Sequence, residues 1–179
     1  MAGADANGDI WVFGYGSLMW RPGFPYLDAA PALLRGYHRA FCIYSVHHRG
    51  SRRRPGLILG LDRGGSCRGR AFRVAAGDAD AVIAYLDSRE LVTHVYLRRT
   101  IPVAIDGARI AAVCYVADPG HAQYAGALPP AEAARVIRDG RGVSGDNPDY
   151  LRNVVAHLDE LGIADGPLHG LLRLVEAAD

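Results

Sequence analysis

Six short apolar segments, each set off by glycine, proline or a polar break, constrain what this chain can fold into more than any other feature. They are "DIWVFGY" (9–15), "RAFCIYSV" (39–46), "GLILGL" (56–61), "CRGRAFRVA" (67–75), "VYLRRTIPVAI" (95–105) and "RIAAVCYVA" (109–117). Rich in valine, isoleucine and aromatics, they read as strands. Asp106-Gly107 separates the last two, and this pair suits a two-residue hairpin turn, in which both central residues take positive φ. An antiparallel or mixed sheet follows, one that could curl into a barrel. A single helix interrupts the strands at about Asp78 to Ser88, where Val82, Ile83 and Leu86 form an apolar stripe at helical spacing. Two or three helices close the chain. Pro130 and Glu132 suit the first turn of one, Asn147 and Pro148 the cap and first turn of the next, and Gly162 its stop. Strands followed by helices make the expected class α+β.

At 179 residues the chain is long enough to bury one core without disulfides or a structural metal, so residues 1–179 are expected to form a single domain with its core from about 10 to 175. Twenty basic residues oppose nineteen acidic ones, for a net charge of +1. No global field then draws the protein towards nucleic acid or a membrane, and any anion specificity must be local. Every basic residue is arginine. Without lysine, Schiff-base chemistry and the lysine-bearing phosphate loop are excluded. Cys42, Cys67 and Cys114 are far apart and odd in number, which reads as buried, reduced thiols rather than a disulfide frame. The start has no basic, then apolar, signal pattern, and no run of about eighteen apolar residues occurs. A cytoplasmic protein without a membrane partner is expected. "GADANGD" (3–9) reads as a frayed terminus and "RGSRRRPG" (49–56) as a solvated basic loop.

Two places carry chemistry. "FGYGSLMW" begins like a dinucleotide loop, but Met19 occupies the third glycine position; as a serine elbow it fails too, since Ser17 is flanked two residues away by Tyr15 and Met19. What survives is a strand breaking at Gly14 and Gly16 so that backbone N–H groups and a hydroxyl can face one small anion, a carboxylate or a developing oxyanion. The plain alternative is an ordinary glycine turn. The second place is Glu90, one of only four glutamates. It continues the Ile83–Leu86 face just past the end of the helix, where desolvation and the negative helix terminus should both raise its pKa, as a general base working near neutrality requires. The competing reading is a salt bridge to Arg89. The histidines form no HExxH and the cysteines no CxxC, so neither a metal nor any other cofactor is expected.

Taken in order, "VFGYGSLMW", "LLRGYHRAFC", "HHRG" with "RPG", "YLDSREL" and "GVSGDNPDYL" resemble the ChaC family of glutathione-specific γ-glutamylcyclotransferases over nearly the whole chain. "SRELVTHVY" is similar to the bacterial branch, since no Gly-Gly follows the glutamate. The resemblance implies a small mixed or antiparallel β-barrel with flanking helices, and a lyase that closes the glutamyl unit of glutathione to 5-oxoproline and expels cysteinylglycine. It implies a substrate-binding stretch at Val12, Phe13, Gly14, Tyr15, Gly16, Ser17 and Leu18, a proton acceptor at Glu90, and a further pocket residue at Tyr150. Arg49 is the candidate for a substrate carboxylate, which an arginine can bind through two parallel hydrogen bonds. Two other readings stay open: a cyclotransferase for other γ-glutamyl amines or amino acids, and a non-catalytic regulator of cation transport.

Overall fold

The computed structural model describes residues 8–177. Five strands close a barrel in the order β1-β3-β2-β4-β5, with β1 at Ile10–Gly14, β2 at Asp28–Ser45, β3 at Gly56–Val74, β4 at Tyr96–Ile105 and β5 at Ala108–Ala117. β1 runs antiparallel to β3, Ile10 facing Val74, and parallel to β5, Trp11 facing Ala112. The fold is therefore α+β around a small mixed barrel. Asp106 and Gly107 have φ of 47° and 84° and join Ile105 to Ala108 in direct register. This is the expected hairpin turn.

Two strands differ from their expected bounds. "RAFCIYSV" is only the end of β2, and the segments 56–61 and 67–75 are one continuous β3. Glycine punctuation suggested breaks where the strands instead bend. Gly36 in β2 and Gly64 and Gly65 in β3 have φ of 86°, 97° and 67°, conformations that let a long strand turn without ending.

The chain divides into two compact units, one made of residues up to Arg39 with Leu61–Asp118, the other of Ala40–Gly60 with the residues from Pro119 onward. In the first, α1 (Ala79–Glu90) lays Val82 and Leu86 into a cluster with Ile10, Val12, Leu18, Phe24, Phe72, Val74, Val113 and Tyr115, and Ile83 packs against its edge. The apolar stripe thus fixes which side of α1 is buried. β1 is buried throughout: Val12 joins that cluster, whereas Phe13 packs over Gly69, where a Cβ would lie 2.6 Å from the ring. Residues 3–7 of the expected frayed terminus lie outside the described residues. Asp9 corrects that reading, because it is buried and its carboxylate accepts from Arg73 Nε and Ala76 N, both at 3.0 Å. A strand paired from Ile10 onward ties the preceding residue down.

In the second unit, α2 (Pro130–Asp139), α3 (Asn147–Glu160) and α4 (Gly166–Glu176) pack on one another, and Ile137, Leu151, Val154, Leu158, Leu168 and Leu171 on them are buried. Pro130 opens α2 and Glu132 sits in its first turn, as expected. Gly162, at φ 67°, terminates α3: its N–H donates to Asp159 and that of Ile163 to Leu158, the paired bonds of a glycine-ended helix. Between α2 and α3 two short strands, β6 (Arg141–Gly142) and β7 (Gly145–Asp146), form a tight hairpin. Asn147 is no cap. It is the first residue of α3, and its buried side chain accepts from Leu57 N at 2.6 Å and donates to Leu57 O at 2.7 Å. Cys42, Cys67 and Cys114 are all free and buried. No helix among the described residues is long and apolar enough to cross a membrane.

Candidate active site

The turn after β1 is built from the inside outwards. Val12 and Phe13 are core side chains with no exposed surface, Gly14 is the last strand residue, opposite Arg70, and Ser17–Met19 form one 3₁₀ turn. Its closing bonds use the amides of Met19, Trp20 and Arg21. The amides of Gly16, Ser17 and Leu18 precede the first bonded turn, the position at which a helix start leaves donors without an intrahelical partner. A Cβ on Gly14 would stand 3.1 Å from that of Leu18, so the chain can double back this tightly only at glycine or with a shift of Leu18. Arg39 holds the inner side of the turn. Buried itself, it donates from Nε to Tyr15 O and from Nη2 to Arg68 O, each at 2.6 Å.

Arg89 holds the outer side. Its Nη2 donates to Ser17 Oγ at 2.7 Å, its Nη1 to Arg21 O at 3.0 Å and Tyr85 Oη at 3.2 Å, and its Nε lies 3.2 Å from Glu90 Oε1. The loop carrying Arg21 is itself shaped by a glycine: Gly23 has φ 74°, and a Cβ there would fall 2.2 Å from the Tyr85 hydroxyl.

Glu90 is the last residue of α1 rather than a residue just past its end, because Leu91 N still donates to Asp87 O. Its side chain keeps 20% of its surface exposed. Burial pushes its pKa above the ordinary carboxylate value, and the adjacent Arg89 guanidinium opposes that shift without cancelling it. The carboxylate is therefore desolvated and also ion-paired. Beside it stands a triad that local spacing missed. Tyr115 on β5 donates to Asp87 Oδ1 at 2.8 Å, and the other Asp87 oxygen takes Nη1 of Arg98 from β4. Burial first, then the bond to Asp87 and the charges of Asp87 and Glu90, keep the phenol protonated well past its usual range. Asp87 lies three residues before Glu90, so helical periodicity could have paired them. Tyr115 carried no such local signal.

In the second unit Arg49 and Tyr150 come together, the guanidinium carbon 5.1 Å from the ring centroid. Arg49 also donates from Nη1 to Ser144 O at 2.6 Å. The Tyr150 ring packs 5.5 Å from Phe41, and Leu59 N reaches its hydroxyl at 3.5 Å. Arg52, Arg53 and Arg54 are exposed, as a solvated loop requires. An open cleft of about 350 Å³ walled by Arg54, Arg138 and Arg141 contains none of the expected site residues. Among the described residues no group of three or more His, Cys, Asp or Glu is arranged to hold a metal ion.

The sequence model of the family described as ChaC-like protein matches residues 10–178. A glutathione-specific γ-glutamylcyclotransferase of Escherichia coli K12 is 34% identical over 171 residues, covering 95% of this chain and 74% of that protein. Glutathione-specific γ-glutamylcyclotransferase 1 of Mus musculus is 37% identical over 147 residues, 79% of this chain and 66% of that protein. The crystal structure of a γ-glutamyl cyclotransferase specific to glutathione from yeast superposes with a TM-score of 0.84 over 96% of this chain and 97% of that one; at 24% identity this speaks for the fold. With the family's sequence model spanning the barrel, α1 and the three closing helices, the chain belongs to the ChaC-like family.

Proposed function

We propose that this protein is a glutathione-specific γ-glutamylcyclotransferase with Glu90 as its general base. The observation that carries the reading is a half-buried carboxylate whose pKa is raised by desolvation, linked through one arginine to a glycine turn. The names of the E. coli and mouse relatives support the choice of substrate.

In this reading the α-amine of the glutamyl unit attacks its own γ-carbonyl. Glu90 takes one proton from the ammonium and releases it to solvent, which frees the amine to attack. As the new C–N bond closes a five-membered lactam, Glu90 takes the second proton that this nitrogen must lose and gives it to the cysteinyl nitrogen as its bond to the γ-carbon breaks; the released amine takes up a further proton from solvent. The products are 5-oxoproline and cysteinylglycine; no water is consumed and no protein nucleophile is needed. The turn from Val12 to Leu18 supplies its backbone, with the amides of Gly16, Ser17 and Leu18 as donors to the glutamyl carboxylate or to the oxyanion. Arg49, stacked on Tyr150, is the candidate for carboxylate recognition. The reaction belongs to the cytoplasm in the same proposal, in keeping with three free thiols.

The test is to incubate the purified protein with glutathione, γ-glutamyl amino acids and γ-glutamyl amines, with and without a chelator, and to quantify 5-oxoproline and cysteinylglycine. Stoichiometric release of both from glutathione, undiminished by the chelator, is expected. A faster reaction on another γ-glutamyl compound would overturn the substrate, and no 5-oxoproline from any of them would overturn the activity.

A further inference from the structure

One side chain connects the two halves of the proposed machinery, and neither the sequence pattern nor the relatives' names assign it a task. The Arg89 guanidinium touches five acceptors: Ser17 Oγ, the carbonyls of Arg21 and Pro22, Tyr85 Oη and Glu90 Oε1. Ser17 is 72 residues away in the chain. The Arg89 side chain is 27% exposed and its bonds to Ser17, Arg21 and Tyr85 lie at the surface, so it is the number of acceptors held at once, rather than burial, that fixes the guanidinium. The planar fork matters. Its five N–H groups leave in fixed directions, whereas the point charge of a lysine could satisfy the carboxylate or the turn but could not span both.

We propose that Arg89 is a positioning residue that holds Glu90 in place relative to the Gly14–Leu18 turn. The proposal rests on the reading of Glu90 as the base. Placement follows from the bridge: the guanidinium ties the end of α1 to the turn through Ser17 and to the loop through two carbonyls, so the base cannot drift from the donors it must work with. The same contact bears on the proton affinity of Glu90, which is surrounded by charged and titratable groups. On α1 these are Arg89 and Asp87, on β5 the protonated Tyr115, and on β4 Arg98, which is engaged by Asp87. Arg89 is thus the cation that directly opposes the effect of burial on Glu90.

The test uses Arg89→Lys and Arg89→Gln in the full chain, with two readouts. The first is kcat and KM for glutathione across pH. The second is the titration of the Glu90 carboxyl carbon in protein labelled with ¹³C-glutamate, where four glutamates give few signals and Glu90→Gln assigns the relevant one. Both variants should lose about ten- to a hundredfold in kcat. In Arg89→Lys the acid limb and the Glu90 midpoint stay near their original pH, because the charge is kept. In Arg89→Gln both move to higher pH, because burial then acts alone. Near-normal kcat in either folded variant, or an unmoved midpoint in Arg89→Gln, would overturn the proposal and reduce Arg89 to a structural contact. The titration needs no substrate. If the unaltered protein fails to turn over glutathione, a raised midpoint in Arg89→Gln still supports the electrostatic role of Arg89 while the proposed activity falls. Should Arg89→Gln not fold, the kcat of Arg89→Lys at unchanged melting temperature decides the question.

Discussion

Glu90 carries two opposing influences within one residue, and their order decides what a substitution does. Burial raises its pKa and Arg89 lowers it, with burial the larger. A carboxyl whose folded pKa exceeds its unfolded value contributes stability only while protonated. That contribution is complete below the ordinary carboxylate pKa and is lost as pH rises through the folded value, so at neutral pH the charged group opposes folding. Glu90→Gln removes the charge while leaving an oxygen that Arg89 can still reach, and Arg89 keeps its bonds to Ser17 and Arg21. Turnover of glutathione should fall by at least about a hundredfold, while the melting temperature at pH 7 stays level or rises. Activity assays and thermal melts on the same preparations check this. An active but less stable mutant would end the catalytic claim, since it is the pattern of an ion pair serving only the fold.

At the scale of elements, Asn147 shows how a helix start can be recruited to hold a strand. Its amide group satisfies both the N–H and the C=O of Leu57 on β3, while its own N–H donates to Gly140 O. The approach is close enough that neither neighbouring glycine has room for a side chain: a Cβ on Gly56 would lie 2.6 Å from Asn147 Oδ1 and 2.2 Å from Arg49 O, and one on Gly140 would lie 2.8 Å from Arg49 O. Asn147→Ala leaves two buried backbone groups without partners and should cost about 2–5 kcal/mol in denaturant unfolding; a loss below about 0.5 kcal/mol would mean that water replaces the amide. The local grammar of the sequence was legible here in part. The Asp106-Gly107 turn, the Pro130 start, the Gly162 stop and the buried stripe of α1 all came out as residue type demanded. Asn147 did not, because its partner is 90 residues away and asparagine at a helix start ordinarily signals a cap.

The whole molecule carries a net charge of +1, and many of its arginines are already engaged, with Asp9, Asp87, Glu90, Asp146, Asp149 and Glu176 among their partners. No long-range field then gathers an anionic substrate. The value of kcat/KM for glutathione should change by less than about threefold between roughly 0.02 and 0.3 M salt, a range over which the Debye length shrinks severalfold; a steep decline in stopped or steady-state assays would reveal steering that the net charge does not predict. Features that a few neighbouring residues decide were legible along the chain: the strand character of six segments, the turn at Gly14–Leu18, the hairpin, and a glutamate on the apolar side of a helix. Backbone sterics and helical spacing act over one or two turns, so these features survive without knowledge of the rest. It took the folded chain to reveal that β2 and β3 run on through their glycines, that Arg39 grips the Tyr15 carbonyl, that Tyr115 and Arg98 meet at Asp87, and that Arg89 bridges Glu90 to Ser17. Those facts depend on strand register and on which helix face a barrel accepts, and residues 11 to 72 positions apart are brought within hydrogen-bonding distance by packing that no local spacing encodes.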